Sequence, residues 1–372
     1  MNILIDGRVW SRNAAGVTSF LSGALFSWAQ LRKEDTLFVL LPKGLDASLE
    51  LTALPGNIRL LDYSHSFPKR LPNILILQLL VPHLCRKYAI DLYYSPVPHL
   101  PFCLPARVKT MVTVHDVVNL EMAQTMAWTN RLASRLSFSR SVRQADYLWT
   151  NSRYTRERVE HYFPQRRAKD IFVGAAVDRS LFYPRHLSPE QKQEVRKRYG
   201  IQGQFALFVG SLEPRKNLDF LLRLMPELYK ENIRLVVVGG KGWKNSSLKK
   251  TIDAPGFPKE AVIFCGYVTN DELALLYNTA DCFVSAALME GFGMPQLEAL
   301  LCGCPIVTAD NTAMTEIASG KQGATLVSGY DPEQWRQTVV KVISEHPDVD
   351  PKQLEAYDWK RIIIQLTEYL DA

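Results

Sequence analysis

Two glutamates stand eight positions apart around a glycine-rich turn, in the stretch EGFGMPQLE that begins at Glu290. Pro295 suits the first position of a helix, so we expect Glu290 in a strand-to-helix loop and Glu298 about one turn into the helix. The two glycines of the turn let backbone amides face outward at the positive end of that helix, which favours an anion such as phosphate. Glu298 could then accept hydrogen bonds from a diol such as a ribose. For an isolated pair of this kind, tight packing and solvent-exposed carboxylates would be the better interpretation.

A second polar loop, GSLEPRKN, follows an apolar strand-like run in the same half of the chain. It presents Arg215 and Lys216 before a helix that we expect Asn217 to cap. Two adjacent cations suit a diphosphate, because arginine can donate two parallel hydrogen bonds to phosphate oxygens and lysine adds a point charge. The alternative is a solvated basic loop. Because both loops are expected to leave the same edge of one sheet, we favour the diphosphate site.

The first half of the chain contributes two further candidates. DGRVWSRNAAGVTSF reads as a strand, a loop of small residues and a helix opened by Gly16, whose amide could approach a phosphate. The stretch lacks GxGxxG, so a nicotinamide site is weakly supported. VTVHD ends another strand at His115, which could hydrogen-bond a sugar hydroxyl or could simply be a structural residue fixed by Asp116.

The elements that must position these residues alternate along the whole chain. Continuous Val, Ile and Phe runs separated by amphipathic helices indicate parallel sheets that are covered on both faces. We predict an α/β protein of two doubly wound, Rossmann-like domains that face each other across a cleft, with ligands at the carboxyl ends of the strands. The predicted domains are residues 1–180 together with a crossing helix at 356–372, and residues 181–355. The predicted strands are FALFVG, RLVVVGG, AVIFCGY, CFVSAA, CPIVTAD and ATLVSG in the second half, and NILIDG, LFVLLP, DLYYSP, KTMVTVHD and YLWTNS in the first.

Composition is that of a globular enzyme, with 47% hydrophobic and 22% charged residues in 372. Asp6 and Arg8 stand where a signal peptide needs an apolar core, so we expect no export. The apolar run at residues 71–85 is too short and too broken by prolines to span a bilayer. The six cysteines form no CxxC pair, which favours buried, reduced thiols in a cytoplasmic protein.

The positive charge is unevenly distributed. Residues 1–180 hold 23 Lys and Arg against 14 Asp and Glu, whereas the rest holds 21 against 24. A basic first half points to an anionic partner. Arg131 and Arg135 on one predicted helix, and an apolar helix ending in Arg86-Lys87, could rest peripherally on an anionic membrane at its cytoplasmic face. Core leucines with solvated arginines are an equal alternative, and no recognised fold supports nucleic-acid binding.

Taken together, these motifs resemble a known family. VGSLEPRKNLDFLL, VTVHD and the run from GYVTNDELALLYNTADCFVSAALMEGFGMPQLEALLCGCPIV to TADNTAMTEI look like the nucleotide-sugar-dependent retaining glycosyltransferases of family 4, which have the GT-B fold. The match is dense over the second half. It reaches the first half through NAAGVTSF and ADYLWTNSRYTRERV, and DWKRIIIQLTEYL is similar to the family's crossing helix.

The resemblance implies a role for each candidate residue. Arg215 and Lys216 would bind the donor diphosphate, Glu298 the ribose hydroxyls and Glu290 the transferred sugar. His115 would contact the sugar's 6-hydroxyl and reacting face. The remaining donor-binding candidates are Gly16, Ser211, Tyr267, Val268, Gly291, Phe292, Gly293 and Met294, with the nucleobase packing near Tyr267-Val268.

The resemblance also implies a reaction, a donor and an acceptor. We expect a metal-independent, retaining hexosyltransferase with no cofactor, moving mannose from GDP-mannose to a saccharide or lipid-linked saccharide in lipopolysaccharide, O-antigen or other polysaccharide biosynthesis. UDP-glucose or UDP-N-acetylglucosamine stays open as the donor, as does a non-catalytic subunit that only binds a nucleotide sugar. The Asp-Val-Asp stretch at 348–350 resembles the metal motif of the other glycosyltransferase fold, but we expect it to be a loop.

Overall fold

Strands and helices alternate along the chain, as the hydrophobic pattern predicts. The structure, a computed structural model, describes residues 1–10, 15–41, 54–62, 73–121, 128–240 and 246–372. The strands are β1 (Asn2–Ile5), β2 (Thr36–Leu40), β3 (Ile58–Leu61), β4 (Leu92–Ser95), β5 (Lys109–Val114), β6 (Tyr147–Thr150), β7 (Ile171–Val173), β8 (Gln204–Val209), β9 (Ile233–Val238), β10 (Val262–Gly266), β11 (Cys282–Ser285), β12 (Ile306–Ala309) and β13 (Ala324–Val327). The helices are α1 (Ala15–Leu31), α2 (Asn73–Lys87), α3 (Val118–Glu121), α4 (Trp128–Gln144), α5 (Arg153–Tyr162), α6 (Pro189–Arg198), α7 (Leu218–Lys230), α8 (Ser246–Ile252), α9 (Asn270–Thr279), α10 (Met294–Leu301), α11 (Thr312–Ala318), α12 (Pro332–Glu345) and α13 (Trp359–Asp371).

The chain divides into two units, residues 1–176 with 357–372 and residues 177–356. The boundaries predicted from the sequence were 180/181 and 355/356. Each unit contains one sheet of parallel strands, with the order β3-β2-β1-β4-β5-β6-β7 in the first and β10-β9-β8-β11-β12-β13 in the second. The predicted fold class, α/β with two Rossmann-like domains, is therefore confirmed.

Two strands of the first sheet, β3 and β7, were not predicted. Both lie at an edge of the sheet and have one strand neighbour instead of two. Edge strands need fewer apolar residues, and β3 accordingly includes the exposed Arg59 within its four residues. Strand β3 therefore lacks a continuous apolar run, and β7 has only three residues.

The strand order of the second sheet reverses between β8 and β11, although the strands themselves stay parallel. From β8 the chain proceeds outward to β9 and β10, and then returns to β11 on the other side of β8. In an open parallel sheet, the loops that leave the carboxyl ends of two such strands diverge and form a crevice that binds ligands. Those two loops are the ones that carry Arg215-Lys216 and Glu290.

Glycines bring the carboxyl ends of the neighbouring strands close together. A Cβ atom on Gly239, just after β9, would lie 1.9 Å from the carbonyl oxygen of Gly210, just after β8. Gly210 also donates its N–H to Val238 (2.9 Å), and Gly239 donates to Gly266 (2.8 Å). No side chain larger than hydrogen fits at position 239, so this edge of the sheet is tightly defined.

The final helix, α13, belongs to the first unit, as predicted for a crossing helix. Its Trp359 ring lies edge-on to Phe20 of α1, with ring centroids 5.1 Å apart. A Cβ atom on Gly23 would meet the Trp359 indole nitrogen at 2.1 Å, so the glycine makes room for the tryptophan. At its other end, Tyr369 donates a hydrogen bond to the carbonyl of Asp170 (3.0 Å). The helix is thus packed into the first unit along its length.

Candidate functional site

Arg215 and Lys216 lie in a short 3-10 helix, Pro214–Lys216, that follows β8. The lysine side chain extends back over Gly210, where a Cβ atom would lie 3.5 Å from the lysine Cε. Asn217 occupies the predicted N-cap position of α7, but its side chain makes no capping hydrogen bond. That detail of the prediction was wrong, because Asn217 adopts a left-handed backbone (φ +54°) instead of the extended one that capping side chains need.

Glu290 brings the two predicted loops together. Its Oε1 accepts a hydrogen bond from Lys216 Nζ, and its Oε2 accepts one from Arg215 Nη1 at 3.2 Å. The loops also bond through their backbones, since Leu288 N–H donates to the Arg215 carbonyl (2.7 Å). The side chains of Glu290, Lys216 and Arg215 are only 11%, 12% and 21% exposed. We call these three residues the ion cluster.

The cluster's charges are not equally shielded from water. Arg215 Nε donates to Glu213 Oε2 at 2.8 Å, but the Glu213 side chain is 55% exposed and its charge is well screened. Glu290 is the largely buried carboxylate between two cations. Ion pairs in such surroundings are screened far less than surface pairs. The site therefore presents two ordered cations that an anion could engage at the carboxyl edge of the sheet.

The turn between the glutamates leads into α10. The sequence predicted Pro295 as the first residue of this helix. The helix begins at Met294, so Pro295 is its second residue. Gly293 precedes the helix with a left-handed backbone (φ +102°), a conformation that explains the glycine. Gly291 and Phe292 connect this residue to Glu290, and the Phe292 side chain is buried.

Glu298 lies buried in α10, on the same side of the unit as the ion cluster. Its Oε2 accepts a hydrogen bond from the hydroxyl of Tyr277 in α9 (2.9 Å). Burial raises the pKa of Glu298 to about 7, while the Tyr277 hydrogen bond and the charge of Lys216 act in the opposite direction. The predicted ribose-binding carboxylate is therefore poised between its neutral and ionised forms near neutral pH.

The remaining second-unit candidates follow strands of the same edge. Ser211 comes two positions after the end of β8, and Tyr267-Val268 follow β10 directly. Val268 is buried, whereas the Tyr267 side chain is 72% exposed. An exposed aromatic ring at this edge offers a face on which a planar base can stack.

Gly16 and His115 lie in the first unit. Gly16 is the second residue of α1, and a Cβ atom there would meet no atom within 4 Å. Residues 11–14 of the predicted small-residue loop lie outside the described residues.

His115 follows β5, and its Nε2 lies 2.8 Å from the carbonyl oxygen of Pro96. A carbonyl only accepts, so Nε2 carries the proton and Nδ1 of the neutral ring is a hydrogen-bond acceptor. Burial lowers the pKa of His115, which favours this neutral form. The Asp116 carboxylate accepts a hydrogen bond from Val118 N–H at the start of α3 (3.1 Å).

Sequence reasoning missed the polar residues that support the cluster from neighbouring elements. Tyr277, Asn311, Thr312 and Tyr330 were not named as candidates, although their side chains bond to the backbone or carboxylates of the site. Asn311 and Thr312 directly follow a predicted strand, which was the available signal. Among the parts of the chain that the structure describes, no group of three or more His, Cys, Asp or Glu could hold a metal ion.

The second unit is similar in sequence to a known protein family. The family described as "Glycosyl transferases group 1" matches residues 203–345, a range that contains the ion cluster and Glu298. Most of the second unit is thus similar to a group 1 glycosyltransferase domain. The family resemblance inferred from the sequence is thereby confirmed.

Curated relatives extend the similarity beyond this domain. The chain is 28% identical over 258 residues to O-antigen chain mannosyltransferase B of Escherichia coli, covering 68% of this chain and 67% of the relative. It is 24% identical over 242 residues, 64% of this chain, to the serotype-specific mannosyltransferase WbdA of the same species, but spans only 29% of that protein's length. It is 30% identical over 217 residues, 55% of each protein, to the GDP-mannose-dependent alpha-(1-6)-phosphatidylinositol monomannoside mannosyltransferase of Mycolicibacterium smegmatis.

Solved structures share the fold over the whole chain. Anabaena Alr3699/HepE, crystallised in complex with UDP-glucose, superposes with a TM-score of 0.73 and 18% identity, covering 100% of this chain and 99% of that one. The two-domain GT-B fold predicted from the sequence is thus confirmed.

The burial of Glu298 predicts a pH-dependent stability. Between pH 4.5 and 7 the folded state holds more protons on this group than the unfolded state, so the free energy of unfolding should fall as pH rises through this window. The Glu298→Gln variant has no ionisable group at this position and should escape the loss. The difference in free energy of unfolding between this variant and the wild type should therefore shift by about 3 kcal/mol in the variant's favour from pH 4.5 to pH 7.5.

Urea unfolding monitored by fluorescence at both pH values measures this difference. Glu345→Gln, at an exposed glutamate of α12, is the matched control for removal of a carboxylate charge. A gain at Glu298→Gln that is identical at the two pH values would contradict the assignment of a raised pKa to this buried carboxyl.

Proposed function

We propose that the chain is a retaining hexosyltransferase that moves mannose from GDP-mannose to a saccharide or lipid-linked saccharide acceptor during cell-surface polysaccharide synthesis. One observation carries the proposal: the ion cluster joins the loops that follow β8 and β11, where the strand order of the second sheet reverses. Three of the relatives are mannosyltransferases by name, one of them of the O-antigen chain, and these names support mannose and a polysaccharide setting.

Each residue of the cluster is assigned one task. Arg215 and Lys216 bind the donor diphosphate, and they stabilise the charge that the leaving nucleoside diphosphate acquires. Glu290 contacts the transferred sugar, with the amides between Gly291 and Met294 beside it. Preorganised cations and helix-end amides of this kind often supply the largest part of a rate enhancement.

Other residues hold the rest of the donor. Glu298 accepts hydrogen bonds from the ribose, and the nucleobase packs at Tyr267-Val268, next to Ser211. From the first unit, we assign Gly16 to the diphosphate and His115 to the sugar. The neutral His115 would use its Nδ1 to accept a hydrogen bond from a sugar hydroxyl.

The proposed reaction needs no separate base. The bond between the sugar's anomeric carbon and the β-phosphate oxygen breaks, and its electron pair goes to the phosphate. The acceptor hydroxyl attacks from the same face, and its proton passes to an oxygen of the leaving phosphate, so the α configuration is retained. The two cations of the cluster take the charge-neutralising part that a divalent metal plays elsewhere, and we therefore propose a reaction independent of metal.

Donor choice is tested by binding and then by turnover. Melting temperatures with GDP, UDP, GDP-mannose and UDP-glucose should rise most with the guanine nucleotides, since binding to the folded state alone raises stability. Turnover of GDP-mannose with a mannose-containing acceptor should follow and should survive excess EDTA. A larger shift with uridine nucleotides would instead favour a UDP-sugar donor, the alternative supported by the fold shared with the HepE structure.

A non-catalytic subunit that only binds nucleotide sugar is the alternative of another class. It would show the same melting shifts without transfer to any acceptor. The presence of all four site residues, Arg215, Lys216, Glu290 and Glu298, favours an enzyme, because a subunit that only binds would be free to lose some of them.

The cluster itself is tested by substitution. Lys216→Ala and Glu290→Gln should each lower kcat by about 100-fold or more, because each removes a charge that acts on the departing donor. Circular dichroism should show that both variants stay folded. Lys250→Ala, at an exposed lysine of α8, is the control and should keep full turnover. Near-normal activity in both cluster variants would refute the site.

A lipid-linked acceptor raises the question of a membrane surface. In α2, Leu77, Leu80 and Leu84 are buried and belong to the core, whereas Leu79 is 60% exposed and Arg86 of the same helix is exposed as well. For Arg131 and Arg135 the structure describes the backbone in α4 but not the side chains. Across the described residues, no helix is both long and apolar enough to span a bilayer.

We propose that the exposed face of α2 rests peripherally on the anionic cytoplasmic face of a membrane. The protein should cosediment at low salt with vesicles containing phosphatidylglycerol, and Leu79→Glu should weaken this binding. Ile364→Glu, at an exposed apolar residue of α13, should not. Absence of cosedimentation by the wild-type protein at low salt would dismiss the membrane contact.

A further inference from the structure

The segment 287–290, which connects β11 to Glu290, is held by hydrogen bonds from three other parts of the second unit. Leu288 N–H donates to the Arg215 carbonyl at 2.7 Å. The carbonyl of Ala287 accepts from two side chains, Asn311 Nδ2 (3.1 Å) and the Tyr330 hydroxyl (2.9 Å). The N–H of Glu290 itself donates to Thr312 Oγ1 at 3.3 Å. The position of the Glu290 carboxylate therefore depends on residues well outside its own loop.

Asn311, Thr312 and Tyr330 form a connected network, which we call the Thr312 corner. The Thr312 hydroxyl donates to Asn311 Oδ1 (3.2 Å) while accepting from Glu290 N–H. The second N–H of the Asn311 amide donates to the Tyr330 hydroxyl (2.8 Å), which in turn donates to Ala287. Each of these groups uses its donors and acceptors consistently, which fixes the direction of every bond.

Thr312 occupies its place at a conformational cost. Its φ is +51°, in the left-handed region, although it is a β-branched residue at the start of α11. Such residues adopt this backbone rarely, because their branched Cβ crowds the adjacent carbonyl. Glycine would fit here without strain. Glycine, however, lacks the hydroxyl that accepts the hydrogen bond from the Glu290 N–H.

We propose that Thr312 is a positioning residue for Glu290, accepting backbone strain in order to place a hydroxyl against the Glu290 amide. Strained backbone of this kind persists where the surrounding structure over-determines it, and it concentrates at functional sites. The role of the positioned carboxylate rests on the proposed function, whereas the hydrogen bond and the strain do not.

Three substitutions separate the hydroxyl from the strain. Thr312→Val keeps the shape and removes the hydroxyl, and should lower kcat by about 10- to 100-fold, the loss expected when a reacting group is misplaced. Its affinity for the nucleoside diphosphate should stay within about threefold of wild type, because the cations that hold the phosphates are unchanged. Thr312→Ser restores the hydroxyl and should recover most of kcat.

Thr312→Gly distinguishes positioning from plain stabilisation. Removing the strain should raise the melting temperature by about 2–4 °C, while kcat should fall as in Thr312→Val. A residue with a purely structural role would not gain stability and lose turnover in one substitution. His346→Gly is the matched control: His346 also has a left-handed backbone (φ +40°), at the exposed end of α12. It should gain stability with unchanged kcat.

A second readout does not depend on activity. Amide hydrogen exchange of a peptide covering 287–292 should quicken in Thr312→Val and Thr312→Gly but not in Thr312→Ser or His346→Gly. Unchanged exchange together with wild-type kcat in Thr312→Val would overturn the proposal. If the wild type transfers no sugar but exchange is altered in these variants, the positioning role is supported and only the proposed function fails.

Discussion

Glu290 lies between Arg215 and Lys216, and this arrangement is the interaction on which the site depends. Two adjacent cations repel each other and are costly to bury, so an unliganded site needs a carboxylate to hold them in place. The two side chains arrive from one loop and the carboxylate from another, and their association ties the ends of β8 and β11 together. A bound diphosphate would take over the neutralising role, releasing the Glu290 carboxylate to hydrogen-bond the sugar.

The fold supplies the rigidity that such an exchange requires. The parallel sheet brings the two loops to one edge, and the close contact between Gly210 and Gly239 leaves the strand ends little freedom. Behind the cluster, Tyr277 orients the buried Glu298, and the Thr312 corner holds the backbone of Glu290. Groups held in this way need little rearrangement when charge develops on a substrate.

Much of this organisation could be predicted from the sequence. The central strands are continuous apolar runs, so their ends, and the polar residues that follow them, could be located and assigned to one edge. That is why Arg215, Lys216 and Glu290 were expected to converge, as they do. Strand β3 was missed because Arg59 interrupts its apolar residues, and β7 because it has only three residues.

Other features depend on three-dimensional contacts that no local pattern contains. Asn217 resembles a capping residue in sequence, but its left-handed backbone prevents the cap. Thr312 and Tyr330 are separated by 18 positions in the chain, and both are hydrogen-bonded to Asn311. The raised pKa of Glu298 likewise follows from burial against α9, which the position of a glutamate in a helix does not reveal.

We propose, above all, that the ion cluster is the binding site of a nucleoside diphosphate. A crystal structure of the protein with the nucleoside diphosphate that raises its melting temperature most would test this directly. We predict phosphate oxygens within hydrogen-bonding distance of both Arg215 and Lys216, with Lys216 no longer bonded to Glu290. A nucleotide bound out of reach of both cations, with the cluster intact, would contradict the claim.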